Sequence, residues 1–231
     1  MNKSKIWISD SKKTVTRLKI LLGSLAEHTR DKQYDIFTKI TKPKKTANIL
    51  DVGVASNEDI KGTNFFEKKY PFPSKISAAT IENKIKLQKK YPKIKVIKIR
   101  PNKRLPFKSN YYQIAVSWAT LEHVGGFKEQ EAFLNELLRV SKNIFVTTPY
   151  RGCIYEPHSG LFFVHWLPLS IFRHICTFLK QKFWSHEYNL NPLYVHDISE
   201  MNLIKEVKIE VFKMFGVLPS HLIITNIKTE L

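Results

Sequence analysis

The residue types that could do chemistry in this 231-residue chain fall in three places. The first is Gly53, directly after the apolar run Asn48-Ile49-Leu50-Asp51-Val52. A glycine there allows unusual dihedrals and close backbone approach to a ligand; it serves equally as a plain turn residue. Ala55 and Asn57 stand where a dinucleotide fingerprint would carry more glycines. A pyrophosphate grip on a helix N-terminus is therefore not expected. The second place is Glu122-His123, just ahead of Gly125-Gly126. An imidazole titrates near neutral pH and serves as a base, or simply packs and caps a loop. The third is the aromatic, histidine-rich stretch 150–200, with His158, His165, His174, His186 and His196. His158 and His165 are separated by Gly160 and match no compact metal-ligand spacing, so no metal is expected. Cys153 and Cys176 fit neither a zinc nor a redox motif and read as two thiols.

These groups need elements to position them. Short apolar runs bounded by turn signals predict buried parallel strands at Asn48–Val52, Lys75–Ile81, Lys95–Ile99, Gln113–Trp118 and Asn143–Thr148. Between the last two, "KEQEAFLNELLRVSK" predicts a helix with Ala132, Phe133, Leu137 and Val140 on its buried face. Strands and helices alternating in this way predict an α/β fold, doubly wound around a mostly parallel sheet. Its ligand cleft lies at the carboxyl ends of the strands. Residues 1–45 read as an N-terminal helical extension, with helical stretches at Val15–Leu25 and Tyr34–Ile40 and a Pro43-Lys44-Lys45 linker. The main domain spans 46–231, and 150–200 reads as an insertion with a helix near Leu169–Phe183. "VKIEVFKMF" and "HLIITNIK", joined at "GVLPS", predict a closing antiparallel pair.

The formal net charge is +18. That raises a nucleic-acid or anionic-membrane partner. Lysine outnumbers arginine 31 to 7, and the lysines are scattered. Phosphate and base recognition favours arginine's bidentate fork, so the charge reads as a solvated surface and nucleic acid is disfavoured. The start of the chain lacks a leader's apolar core, and the expected location is cytoplasmic. The most apolar window, 160–179, holds His165, Pro168, Arg173 and His174, which argues against a transmembrane segment. Its helix, flanked by Lys180 and Lys182, leaves peripheral membrane contact as an alternative to packing on the sheet.

Three segments in order, "ILDVGVAS", "RLPFKSNYYQIAVSWATLEHVGG" and "ELLRVSKNIFVTTPYR", resemble the motifs of class I S-adenosylmethionine-dependent methyltransferases. The "LPF…LEHV…TP" pattern is most similar to the methyltransferase type 11-like subgroup, over roughly residues 46 to 150. The resemblance implies a Rossmann-like seven-stranded sheet with its last strand antiparallel, and S-adenosylmethionine as cofactor. It would place Asp51, Gly53 and Ala55 under the methionine part and Ile81 and Glu82 at the ribose. Asn102 would lie at the adenine, and Ser117 and Trp118 at the methyl donor. His123 is then the nearest candidate base. The insertion is a candidate acceptor lid carrying Tyr150, Arg151, His158, His165 and Trp166. The implied activity is methyl transfer to a small-molecule, lipid or glycan acceptor. The alternative is a degenerate, non-catalytic fold that binds nucleic acid or an anionic membrane surface.

Overall fold

The computed structural model describes residues 17–58 and 62–228, with side chains from residue 25 onward. Five parallel strands form as expected: β1 (Ile49–Val52), β2 (Ile76–Thr80), β3 (Lys95–Lys98), β4 (Tyr112–Trp118) and β5 (Ser141–Pro149). The tail supplies β8 (Lys208–Met214) and β9 (Leu218–Thr225). The sheet order is β3-β2-β1-β4-β5-β9-β8, and β9 runs antiparallel to both neighbours. The tail's turn lies at Phe215 and Gly216, with φ of 53° and 77°, so the second strand begins earlier than the sequence suggested. This is the doubly wound, mostly parallel seven-stranded architecture that the alternation and the resemblance implied.

Both faces of the sheet are covered, and the strands alternate between them as a period of two requires. Leu50 and Val52 of β1 point into one core; Ile49 points into the other. In β5, Ile144 and Val146 oppose Phe145 in the same way. On the Phe145 side lie helix α1 (Arg17–Thr41), the short helix α2 (Phe65–Lys69) and α3 (Lys84–Lys90), whose N-cap is Asn83 Oδ1 accepting from the Lys86 amide. The two expected N-terminal helical stretches are one helix; Val15 lies outside the described residues. Its Tyr34, Phe37 and Ile40 share a buried stripe at spacings of three. Phe37 meets Phe66, Trp118 and Phe145 edge-on. A fully buried phenylalanine of this kind contributes about 1.5–3 kcal/mol.

Helix α4 (Phe127–Val140) covers the opposite face through Leu134, Leu137, Leu138 and Val140. Ala132 is exposed, not buried as expected. Two residues before Leu134, it sits about 200° around the helix from the stripe.

The insertion holds the hairpin β6 (Tyr155–Glu156) and β7 (Leu161–Phe162), helix α5 (Leu169–Phe178) and α6 (Val195–Ser199). Helix α5 is shorter than expected and does not pack on the sheet. Phe172 and Cys176 form a small separate core with Leu190, against Leu161, Val164 and Trp184. Among the described residues no helix is long and apolar enough to cross a membrane.

Candidate functional site

The strand order reverses between β1 and β4. A crevice opens at the carboxyl ends of the strands at such a reversal. Gly53 stands there with φ of 110°, and its amide donates to the Ala79 carbonyl at 3.1 Å. Just beyond β4, Ala119 is left-handed at φ 49°, which an alanine rarely adopts. This turn brings Thr120 onto Gly53. A β-carbon on Gly53 would overlap the Thr120 side chain. The space that glycine leaves is thus taken first by the chain itself.

The loop after Gly53 is clamped from two sides. Asn64, left-handed at φ 50°, accepts from the Ala55 amide at 3.0 Å and donates to the Ala55 carbonyl at 2.7 Å and to Glu58 Oε1 at 2.9 Å. Ala55 itself is not left-handed, so this position needs no glycine. Glu58 takes Lys68 and Lys90 at 2.6 and 2.8 Å and also the Tyr91 hydroxyl. Burial would raise its pKa; these donors outweigh that and hold it down at about 2. On the other side Ser56 donates through its amide and its hydroxyl to Glu82 Oε2, at 2.5 and 2.6 Å. Thr80 Oγ1 accepts from the Glu82 amide at 2.9 Å and turns the end of β2 toward the loop. Asn64→Ala removes three hydrogen bonds and leaves alanine in a left-handed conformation. It is expected to cost about 2 kcal/mol in urea unfolding; an unchanged midpoint would rule the clamp out.

The other expected cofactor residues are distributed as follows. Asp51 is buried and hydrogen-bonded to Glu67 of α2. Ser117 is buried, its hydroxyl donating to the Val52 carbonyl at 2.8 Å. Trp118 lies among Phe37, Phe65, Phe66 and Phe145, and its buried Nε1–H has no acceptor among the described residues. Ile81 is 53% exposed beside Glu82. Asn102 is exposed and left-handed at φ 53°.

A second group lies beyond β4 and β5. Glu122 is fully buried, and its Oε2 accepts from Thr148 Oγ1 at 2.9 Å. His123 Nδ1 meets the Asn189 carbonyl at 2.6 Å, and its Nε2 lies 3.0 Å from His158 Nε2. His158 Nδ1 meets Glu156 Oε1 at 2.7 Å. Burial and the facing His158 push the His123 pKa down to about 3. Burial opposes charge on His158 as well, but Glu156 and Glu122 outweigh it and raise that pKa. His123 is therefore engaged at both ring nitrogens, Nδ1 by a carbonyl and Nε2 by His158.

The remaining lid residues are not brought to this pair. Arg151 donates to the carbonyls of His165 and Leu167 at 2.9 and 2.7 Å and lies over the Tyr194 ring. Buried His165 and the indole N–H of Trp166 both meet the Cys153 carbonyl, at 2.8 and 2.6 Å. Tyr150 is tied by its amide to the Ser220 carbonyl. These residues fasten the insertion to itself and to β9. Sequence reasoning missed Thr120, Ser56 and Thr148, whose partners are remote in the chain, and Glu156, whose partners His158 and Ser159 are near. The Glu156-Pro157-His158 spacing was the one local signal for the last of them.

No family model matches the chain, and no curated protein matches it in sequence. Solved structures do match. A Rhodobacter sphaeroides protein with the provisional description of a Zn-dependent alcohol dehydrogenase is 9% identical; the match covers 94% of this chain and 100% of that one, with a TM-score of 0.57. Magnesium protoporphyrin IX methyltransferase from Synechocystis, with bound SAH, is 10% identical over 94% of this chain and 89% of its own, at a TM-score of 0.51. Phosphoethanolamine N-methyltransferase 2 of Haemonchus contortus, in complex with S-adenosyl-L-methionine, is 10% identical over 87% of this chain and 53% of its own, at 0.54. Identities this low speak to the fold alone.

Proposed function

From a chain that has the class I S-adenosylmethionine-dependent methyltransferase fold, we propose an enzyme that transfers a methyl group from S-adenosylmethionine to a small-molecule, lipid or glycan acceptor. The observation that carries this reading is the pairing of Gly53, left-handed at the switch point, with Glu82 just past the end of the neighbouring strand. The fit to the cofactor turns on Glu82. Ser56 occupies Oε2, while Oε1 has no partner among the described residues and suits a ribose hydroxyl. Exposed Ile81 offers an apolar surface for the adenine, and Asn102 a polar edge. The unsatisfied Trp118 N–H is a donor in want of an acceptor at the end of β4. The loop holds no phosphate-gripping glycines, and this cofactor asks for none.

When bound, the cofactor supplies an electrophilic methyl on a sulfonium. The chain's part is alignment. Gly53, Ala55 and Ser117 shape the floor, with Asp51 buried beneath it. Where the acceptor must lose a proton, the cluster of Glu122, His123 and His158 is the group we place beside it. Tyr150, Arg151, His165 and Trp166 set the form of the lid, and exposed Phe162, Phe163 and Trp166 support an acceptor with an apolar body.

The competing reading is a degenerate fold that binds without catalysis. It draws on Thr120 lying against Gly53 and on Ser56 occupying half of Glu82. Calorimetric titration with S-adenosylmethionine and its demethylated product separates the two. Saturable binding is expected, with Glu82→Ala weakening it about tenfold. Silence at millimolar ligand would leave the degenerate reading standing.

A further inference from the structure

We infer that Glu122, His123 and His158 form a binding site for a divalent transition-metal ion, zinc or one of similar chemistry. The three offer Oε1 and two Nε2 atoms that lie within 4.8 Å of one another. The Nε2 atoms are 3.0 Å apart, and Glu122 Oε1 is 3.7 Å from one and 3.8 Å from the other. A single point lies roughly 2 Å from all three, the length of a zinc–imidazole or zinc–carboxylate bond.

The tautomers point the same way. The Asn189 carbonyl only accepts, so His123 Nδ1 carries a hydrogen. Glu156 Oε1 accepts from His158 Nδ1, while Glu156 Oε2 takes the Ser159 amide at 2.5 Å. With both Nδ1 atoms protonated, two neutral rings would present lone pairs to each other across 3.0 Å. That contact is repulsive unless a proton or a cation lies between them. A proton would satisfy the two nitrogens and nothing else. Glu122 Oε1 is buried without a hydrogen-bond partner among the described residues. An ion satisfies all three atoms at once.

A ring N–H held by a carbonyl or a carboxylate is also how metal-ligating histidines are usually oriented. Glu122 is fixed from behind by Thr148. Arg30 feels the Glu122 charge, but its guanidinium donates to the Gly62 carbonyl. The Trp184 ring lies against both imidazoles, with centroids 6.2 and 5.3 Å away. Three protein ligands leave a coordination position open, as in catalytic metal sites. Glu122 and His123 follow β4 and Thr148 lies near the end of β5, so an acceptor oxygen could take that position. This last role rests on the methyltransferase reading; the site itself does not.

The test uses the whole 231-residue chain, stripped with a chelator, dialysed and titrated with Zn²⁺ and Co²⁺ alone. Bound metal is counted by mass spectrometry. One ion per chain is expected, together with a higher thermal midpoint and intense Co²⁺ ligand-field bands. His123→Ala and His158→Ala should each weaken zinc binding at least 100-fold. Glu156→Gln should weaken it about 10- to 100-fold. His174→Ala, at an exposed position on α5, should leave it unchanged. If the histidine variants fail to fold, the Co²⁺ spectrum of the wild-type protein decides. Substoichiometric binding overturns the site, as does binding that survives both histidine substitutions. So does nitrogen NMR showing a proton shared between the two Nε2 atoms that zinc does not displace. No cofactor is present in these titrations, so they succeed or fail independently of S-adenosylmethionine binding.

Discussion

Gly53→Ala is expected to lower the stability of the protein by about 3–5 kcal/mol, a large share of the roughly 5–15 kcal/mol that holds a folded domain together. Two costs combine. A left-handed φ of 110° lies in a region that L-residues rarely enter, at about 1–3 kcal/mol. The new methyl group would also overlap Oγ1, Cγ2 and Cβ of Thr120. Overpacking of that kind costs about 1–3 kcal/mol, and here the neighbour has little room to move. Thr120 follows the left-handed Ala119, whose amide is tied to the Thr147 carbonyl at 2.9 Å. The two costs are separable. Thr120→Gly in the Gly53→Ala background removes the overlap and keeps the strained dihedral, so about half of the loss should return. Urea unfolding of the two single variants and the double variant measures this as a cycle. A single-variant loss under 1 kcal/mol, or no coupling between the positions, would show that Thr120 does not fill the space.

This result changes how a cofactor experiment is to be interpreted. A bulky residue at position 53 abolishes binding whether or not a ligand ever lies there, because it unseats the loop. Glu82 is the better probe. Its side chain is partly exposed, and its loss releases Ser56 but adds no atom against Gly53 and Thr120.

What the sequence made legible follows from the range of each signal. Strands β1, β4 and β5 are nearly continuous apolar runs because both faces of the sheet are covered, and such runs stand out locally. Helix α4 was visible from its period, although the period alone placed Ala132 on the wrong face. The doubly wound character follows from crossover rules, which need only the sequence of elements; the order of the strands carries no such local mark. The sites were legible only where the chain is local. Gly53 announced itself by following a strand. Ser56 and Glu82, 26 residues apart, carry no mark of each other. Nor do Glu122 and Thr148, also 26 apart, or His123 and His158, 35 apart. A spacing rule searches one segment at a time. The insertion folds back on the ends of β4 and β5, and only the fold reveals which of its histidines that brings in.

Asp51 and Glu67 supply the second large effect. Both carboxyls are buried and hydrogen-bonded to each other on the α2 side of the sheet. Burial pushes Glu67 up to about 7; burial and the facing Glu67 raise Asp51 well above the usual carboxylate range. Two acids this close share a proton rather than both ionising. The sign follows directly. The folded state binds more protons than the unfolded chain between about pH 4.5 and pH 7. Stability from this pair is complete below the unfolded value and is lost as pH rises through that window, by an amount on the order of 2–3 kcal/mol. Half-buried His221 runs the other way. Burial lowers it to about 3, so its contribution is lost as pH falls from about 6.5. The raw profile of the wild-type protein is therefore a sum of opposed parts, and the informative quantity is a difference. Glu67→Gln keeps the shape and supplies a permanent donor to Asp51. Its stability relative to wild type should rise by about 2–3 kcal/mol between pH 4.5 and pH 8, measured by urea unfolding at fixed ionic strength. A difference that stays flat across that range would mean the two carboxyls hold no shared proton. Asp51 would then carry a full charge two residues before the glycine at the switch point.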